Sequence, residues 1–216
     1  GRAVAKSGLP REQIFITTKL WNEDQGYKSA LAAINESLSR LGMDYVDLYL
    51  IHWPLTNFTN GENKRAETWK AMEEIYNVGK ARAIGVSNYT VEHLEEMKTY
   101  AHVPTTVNQV EFHPFLYQKN LMDYCHDHNI VLEAYCPLSR GEKLHDSRIS
   151  AVAQKYNKTN AHIMLRWSLQ HGNIVIPKST HKERIEENIN VFDFELEPAD
   201  MQILDGLNEN YRIVTG

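Results

Sequence analysis

Six short apolar or β-branched runs, each followed by a polar turn and a longer helix-period segment, constrain this chain more than any other feature. The runs are 14–19 (IFITTK), 46–52 (VDLYLIH), 83–87 (AIGVS), 106–110 (TVNQV), 131–135 (VLEAY) and 174–178 (IVIPK). Between them apolar residues recur at helical spacing. Ala30, Leu31, Ile34, Leu38 and Leu41 do so in 28–41, and Trp69, Met72, Ile75 and Tyr76 in 65–78. Further helices are expected over 91–101, 118–128, 147–155, 160–171 and 181–188. Gly42 and Gly79 fall where helix C-caps belong. A parallel strand pair needs a crossover, so strands alternating with helices read as parallel βα units. The runs are apolar on both faces, as strands covered by helices should be.

Two architectures satisfy that pattern, an open doubly wound sheet and a closed (β/α)8 barrel. No G-x-G-x-x-G follows any of the runs, which removes the usual signature of the open sheet. Each run instead ends in a reactive or hydrogen-bonding group: Lys19, His52, Ser87 with Asn88, Asn108 with Gln109, Tyr135, and Lys178 with Ser179. Chemistry delivered at every C-terminal strand end suits one ring-shaped mouth. The expected fold class is therefore α/β, a (β/α)8 TIM barrel with about six βα units represented in a single domain spanning 1–216.

Composition narrows the function. The 216 residues carry 23 basic and 28 acidic side chains, a net charge of −5, which does not suit a nucleic-acid partner. No run approaches the roughly 18 apolar residues that a membrane helix requires, so no membrane association is expected. Two cysteines, Cys125 and Cys136, do not make a disulfide framework, and a reducing cytoplasmic setting is expected. The sequons at Asn35, Asn57, Asn88 and Asn157 are read as chance. His126 and His128 beside Cys125 are two apart, face different ways on a helix, and are not expected to hold a metal. The first residue is Gly rather than Met, which reads as a processed, cut or partly represented chain.

The segments ITTKLW (16–21), DLYLIHWP (47–54), IGVSN (84–88), VNQVEFHP (107–114), EAYCPLSRG (133–141) and IPKSTHKERIEEN (176–188) resemble the aldo-keto reductase family, in its order and over almost the whole chain. The resemblance implies NADPH-dependent reduction of a small-molecule aldehyde or ketone on a (β/α)8 barrel. It implies a catalytic set of Asp, Tyr, Lys and His. Lys19 and His52 stand at the Lys and His positions. The Asp and Tyr belong to a stretch upstream of GRAVAKSG, so the domain is expected to be incomplete at its N-terminus. Tyr27, Tyr45 and Tyr49 sit in the wrong segments to replace that Tyr.

By the same resemblance, Lys19 lowers the pKa of the tyrosine proton donor, and a cation beside a phenol acts in that direction. His52 orients the substrate carbonyl. Ser87, Asn88 and Gln109 bind the nicotinamide carboxamide, and Tyr135 stacks on the ring. Cys136 and Leu138 match positions on the pyrophosphate side. Lys178, Ser179, Thr180 and Arg184 precede and open a helix, and two cations with hydroxyls at a helix start suit an anion. In the family the Lys, Ser and Arg grip the adenosine 2′-phosphate, which implies NADP(H). Glu187 and Asn188 match the adenine contacts, and Trp21 and Trp53 the walls of the substrate pocket. The complete protein is expected to be a monomer. The competing reading is a truncated, inactive homologue that only binds NADP(H) or a partner.

Overall fold

The computed structural model describes residues 1–54 and 61–215, and the Asn57 sequon lies outside them. The chain divides into two compact units, Gly1–Asn108 and Gln109–Gly216. The first contains α1 (Arg2–Lys6), β1 (Thr17–Leu20), α2 (Tyr27–Leu41), β2 (Val46–Ile51), α3 (Gly61–Asn77), β3 (Ala81–Ser87), α4 (Val91–Met97) and the opening of β4 (Val107–Glu111). Strand β2 is parallel to both neighbours, with Lys19 opposite Leu50 and Tyr49 opposite Ile84. All six of its residues are buried, as a strand apolar on both faces requires. Ile34 and Leu38 of α2 and Trp69, Met72 and Ile75 of α3 are buried with it. Each fully buried side chain of this kind contributes about 1.5–3 kcal/mol.

Asp47 is the polar exception in β2. Its carboxylate accepts the Ile16 N–H at 2.8 Å, the Arg11 guanidinium at 2.8 Å and that of Arg82 at 3.3 Å. Burial alone would raise its pKa, but the Ile16 N–H and the two guanidiniums outweigh that and hold it below the usual carboxylate range. The same contacts explain why β1 starts at Thr17 and not at residue 14. Residues Arg11–Gln13 form a 3-10 turn, and the Ile16 N–H goes to a side chain instead of a ladder. Gly85 has no room for a side chain: an added Cβ would stand 2.6 Å from the Val107 carbonyl oxygen and 2.8 Å from Leu50. Gly42 caps α2 at φ 65°, as its position in the sequence implies.

The second unit contains the remainder of β4, then α5 (Lys119–Asp127), β5 (Val131–Tyr135), α6 (Ser147–Tyr156), α7 (Asn160–Gln170), β6 (Ile174–Val175), α8 (Lys182–Ile189) and α9 (Pro198–Asp205). Strands β5 and β6 are parallel, pairing Glu133 with Ile174 and Ala134 with Val175. The expected strand 174–178 is thus only two residues long. The Ile176 N–H still donates to the Ala134 carbonyl at 3.2 Å, but Pro177 has no N–H with which to continue. Helix α7 begins with a reciprocal cap between Thr159 and His162. Helix α9, which the periodicity does not reveal, starts with Pro198 in its first turn, where a missing N–H costs nothing. Trp167 of α7 is fully buried and stacks on Phe112, ring centroids 5.1 Å apart.

Candidate active site

In the first unit the ends of β1, β2 and β3 bring several of the sequence-identified residues together. Lys19 lies within β1, and the His52 N–H donates to the Leu20 carbonyl at 3.1 Å, which continues the β1–β2 pairing by one residue. The Trp21 and His52 rings meet edge to face, centroids 4.9 Å apart. The charge of Lys19 is felt at His52. Burial first, and then that charge, hold the imidazole below its ordinary pKa of 6.5. His52 is thus neutral at pH 7 and keeps one N–H to donate.

The loop after β3 is tied to the same histidine. The Asn88 side-chain amide donates to the His52 carbonyl at 2.9 Å and contacts the Ser87 hydroxyl at 3.1 Å. Asn88 adopts φ 63°, a left-handed conformation that Asn tolerates better than most residues. Ser87 is buried, whereas Trp21 is half exposed. The Trp53 carbonyl accepts the amide of the buried Gln25 at 2.8 Å. Gln25 is a support that no sequence motif marked. Asn108, which the sequence puts at a strand end but which is the second residue of β4, is wholly buried and exchanges two hydrogen bonds with the Tyr89 main chain, which fixes the turn after Asn88.

In the second unit Gln109 is buried, and its amide donates to the buried Glu133 carboxylate. Tyr135 ends β5 half-buried. Its carbonyl accepts the Phe112 N–H at 3.3 Å, and burial followed by the Glu111 charge pushes its phenol up to about 12. A phenol so raised remains a neutral ring at pH 7, suited to stacking. The chain then turns tightly. Cys136, Ser139 and Arg140 all have positive φ, near 50°, and Gly141 has φ 88°. Non-glycine residues held there cost on the order of 1–3 kcal/mol each, and such strain gathers at ligand-binding loops. Burial raises the Cys136 thiol against a partial counter-effect from Arg140, so it stays protonated. Leu138 is half-buried in the same turn.

Lys178, Thr180 and Arg184 are exposed, while Ser179 is half-buried with its hydroxyl accepting the His181 N–H at 3.1 Å. His181 caps α8 without any side-chain hydrogen bond, so its side chain satisfies none of the first-turn N–H groups. Two exposed cations beside uncapped N–H donors fit an anionic group. Glu187 and Asn188 are half-buried. The Glu187 carboxylate accepts the Thr159 hydroxyl at 2.8 Å, and its carbonyl meets the His162 ring at 3.0 Å. Among the described residues no group of three His, Cys, Asp or Glu could hold a metal ion, and no helix is long and apolar enough to cross a membrane.

Comparison with known proteins agrees with the fold. The pattern of the Aldo/keto reductase family matches residues 1–209, and the chain belongs to that family. It is 51% identical over 213 residues to the glyoxal reductase of Bacillus subtilis (strain 168), covering 99% of this chain and 75% of that protein. Its structure superposes at a TM-score of 0.94 on MGS-M4, an aldo-keto reductase from a Medee basin deep-sea metagenome library. That pair is 46% identical and covers 100% of this chain and 79% of the other. The Bombyx mori aldo-keto reductase solved in complex with NADP superposes at 0.91 with 35% identity, over 99% of this chain and 74% of that one. Parallel strands alternating with helices are thus the α/β fold of this family.

Proposed function

We propose that this protein is an NADP-dependent oxidoreductase that reduces small aldehydes or ketones to alcohols. The observation that carries the reading is the Lys19–His52 cluster: a lysine charge beside a half-buried, neutral imidazole at a strand end. Bound NADPH supplies the hydride. The residues of this chain orient the carbonyl and assist the proton transfer. His52 donates an N–H to the substrate carbonyl oxygen, which fixes its direction and stabilises the charge that grows there. By the family resemblance, Lys19 favours the ionised form of a tyrosine that is not among residues 1–216, and that tyrosine gives its proton to the product oxygen. Tyr27, Tyr45 and Tyr49 do not fill that role. Tyr27 is bonded to Glu74, Tyr45 lies under the Arg11 guanidinium at 4.2 Å, and Tyr49 is wholly buried. Trp21 and Trp53 offer apolar walls to the substrate.

Ser87, Asn88 and Gln109 hold the carboxamide of the nicotinamide, and Tyr135 stacks on the ring. Cys136 and Leu138, in the strained turn, hold the pyrophosphate side. Lys178, Ser179, Thr180 and Arg184 grip the 2′-phosphate, supported by the uncapped start of α8. Glu187 and Asn188 meet the adenine. Two unjoined cysteines accord with a cytoplasmic location, and we read the protein as a monomer.

NADPH oxidation at 340 nm with glyoxal, the substrate in the relative's name, tests turnover. NADPH bound without turnover would favour a binding-only protein. The cofactor choice is tested by Arg184→Ala. A charge-assisted hydrogen bond contributes about 1.5–3 kcal/mol, so NADPH affinity should fall roughly tenfold or more while NADH affinity scarcely moves. Equal losses for both would remove the 2′-phosphate role from Arg184.

A further inference from the structure

Glu111 closes β4, is wholly buried, and has no part in the reduction as proposed. Its two carboxylate oxygens accept main-chain N–H groups from the far end of the sequence: Oε1 from Ile213 at 2.8 Å and Oε2 from Val214 at 2.9 Å. The His113 Nε2 lies 3.0 Å from Oε1. The neighbouring residues extend the attachment. Arg212 donates to the Gln118 side chain at 3.2 Å, and Gln118 donates to the Glu111 carbonyl at 2.7 Å. The N–H groups of Glu209 and Tyr211 both donate to the Phe115 carbonyl, at 3.1 and 2.9 Å. Residues 209–214 are thus fastened repeatedly to 111–118, and among the described residues Glu111 is the full charge that takes their main-chain donors. Hydrogen bonds to an ionised acceptor are about twice as strong as neutral ones. Burial alone would raise the carboxyl pKa, but His113 and the two N–H groups outweigh it and keep the group ionised.

The anchor stands next to a residue of the cofactor site. The Phe112 N–H, on the peptide that follows Glu111, donates to the Tyr135 carbonyl. The charges of Glu111 and Arg212 both act on the Tyr135 phenol, and that of Glu111 also on the Cys136 thiol. We propose that residues 209–214 form a strap which Glu111 fastens at the Tyr135 end of the cofactor site, making Glu111 a positioning residue that couples coenzyme binding to strap order. The proposal rests on the reading of Tyr135 as the surface on which the nicotinamide stacks. Such coupling is reciprocal: if the closed strap favours NADPH, bound NADPH must favour the closed strap by the same factor.

The test measures amide hydrogen exchange at Ile213 and Val214, with and without saturating NADPH, alongside NADPH affinity by fluorescence quenching. In the native protein NADPH should slow both amides by about fivefold or more, the lower bound of typical coupling. Glu111→Ala should exchange them rapidly and weaken NADPH by a similar factor. Glu111→Gln keeps one acceptor and should restore part of both effects, which a role confined to folding would not do. If Glu111→Ala fails to fold, Val214→Pro removes one donor and leaves the buried carboxylate in place, and it should weaken NADPH in the same direction. Native protein that quenches with NADPH but shows unchanged exchange at both amides would overturn the coupling and leave the proposed function intact. Unaltered affinity in a folded Glu111→Ala or Val214→Pro would do the same. Native protein that does not bind NADPH at all would overturn the proposed function itself, and the coupling with it.

Discussion

The Lys19–His52 cluster and the 178–188 segment hold their polar groups in opposite ways. In the cluster the groups are half-buried and fixed: His52 through its N–H to Leu20, its carbonyl to Asn88 and its ring against Trp21. Along 178–188 the cations Lys178 and Arg184 stand exposed at the start of a helix whose N-terminus is uncapped. The contrast fits the roles proposed for each set. A group that stabilises charge appearing only in the transition state works best where water is partly excluded and its direction is set in advance. A group that grips a permanent anion relies on full charge and tolerates solvent. One region should therefore govern rate and the other affinity.

The largest effect among these expected outcomes belongs to His52. His52→Ala removes a donor used at the developing oxyanion and should lower kcat by about a hundredfold, while NADPH affinity changes little. Equal changes in kcat and in cofactor affinity would erase the contrast. Next is Asp47, which anchors the lower end of β1 and takes no part in either region. Asp47→Ala leaves the Ile16 N–H without its acceptor and the partly buried Arg11 guanidinium without its counter-charge, and should cost about 2 kcal/mol in urea unfolding at pH 7. The Asp47 carboxyl titrates lower in the folded chain than in the unfolded one. Its contribution is therefore present above the unfolded value of about 3.9 and fades as the pH drops through the lower folded value. The gap between native protein and Asp47→Ala should accordingly narrow below about pH 4. A gap of the same size at pH 3 would contradict an ionised anchor. The smallest effect is in the pH profile. Because His52 titrates below 6.5, kcat/KM for an aldehyde should hold level through pH 7 and 6.5 and decline only at lower pH. A decline centred above 6.5 would contradict the lowered imidazole pKa.

The two regions also differ in how much of them the sequence discloses. Lys19, His52, Ser87 and Asn88 are legible because strand periodicity places them at consecutive strand ends, where the ladder itself sets their positions. The strand at 174–178 is read too long, because a run of apolar residues does not reveal that Pro177 ends the pairing. The boundary of β1 is missed by three residues for a related reason: the Asp47 side chain, remote in sequence, takes the Ile16 N–H. Gln25 and Glu133, which fix Trp53 and Gln109, carry no local pattern of their own. Glu111 reaches Ile213 and Val214 across about a hundred residues, a contact that only the folded chain brings about.

The central claim is that Lys19 and His52 act on the rate of carbonyl reduction and leave cofactor binding to other residues. It is tested most directly by the single-turnover rate of Lys19→Met with NADPH already bound and glyoxal added in excess. Methionine keeps the length of the side chain and removes the charge. General acid–base assistance contributes typically about 10²–10⁴-fold, so the rate should fall by at least a hundredfold while NADPH dissociation stays within about twofold of native. A Lys19→Met protein that reduces glyoxal at close to the native rate, or that loses NADPH in proportion to its loss of rate, would contradict the account.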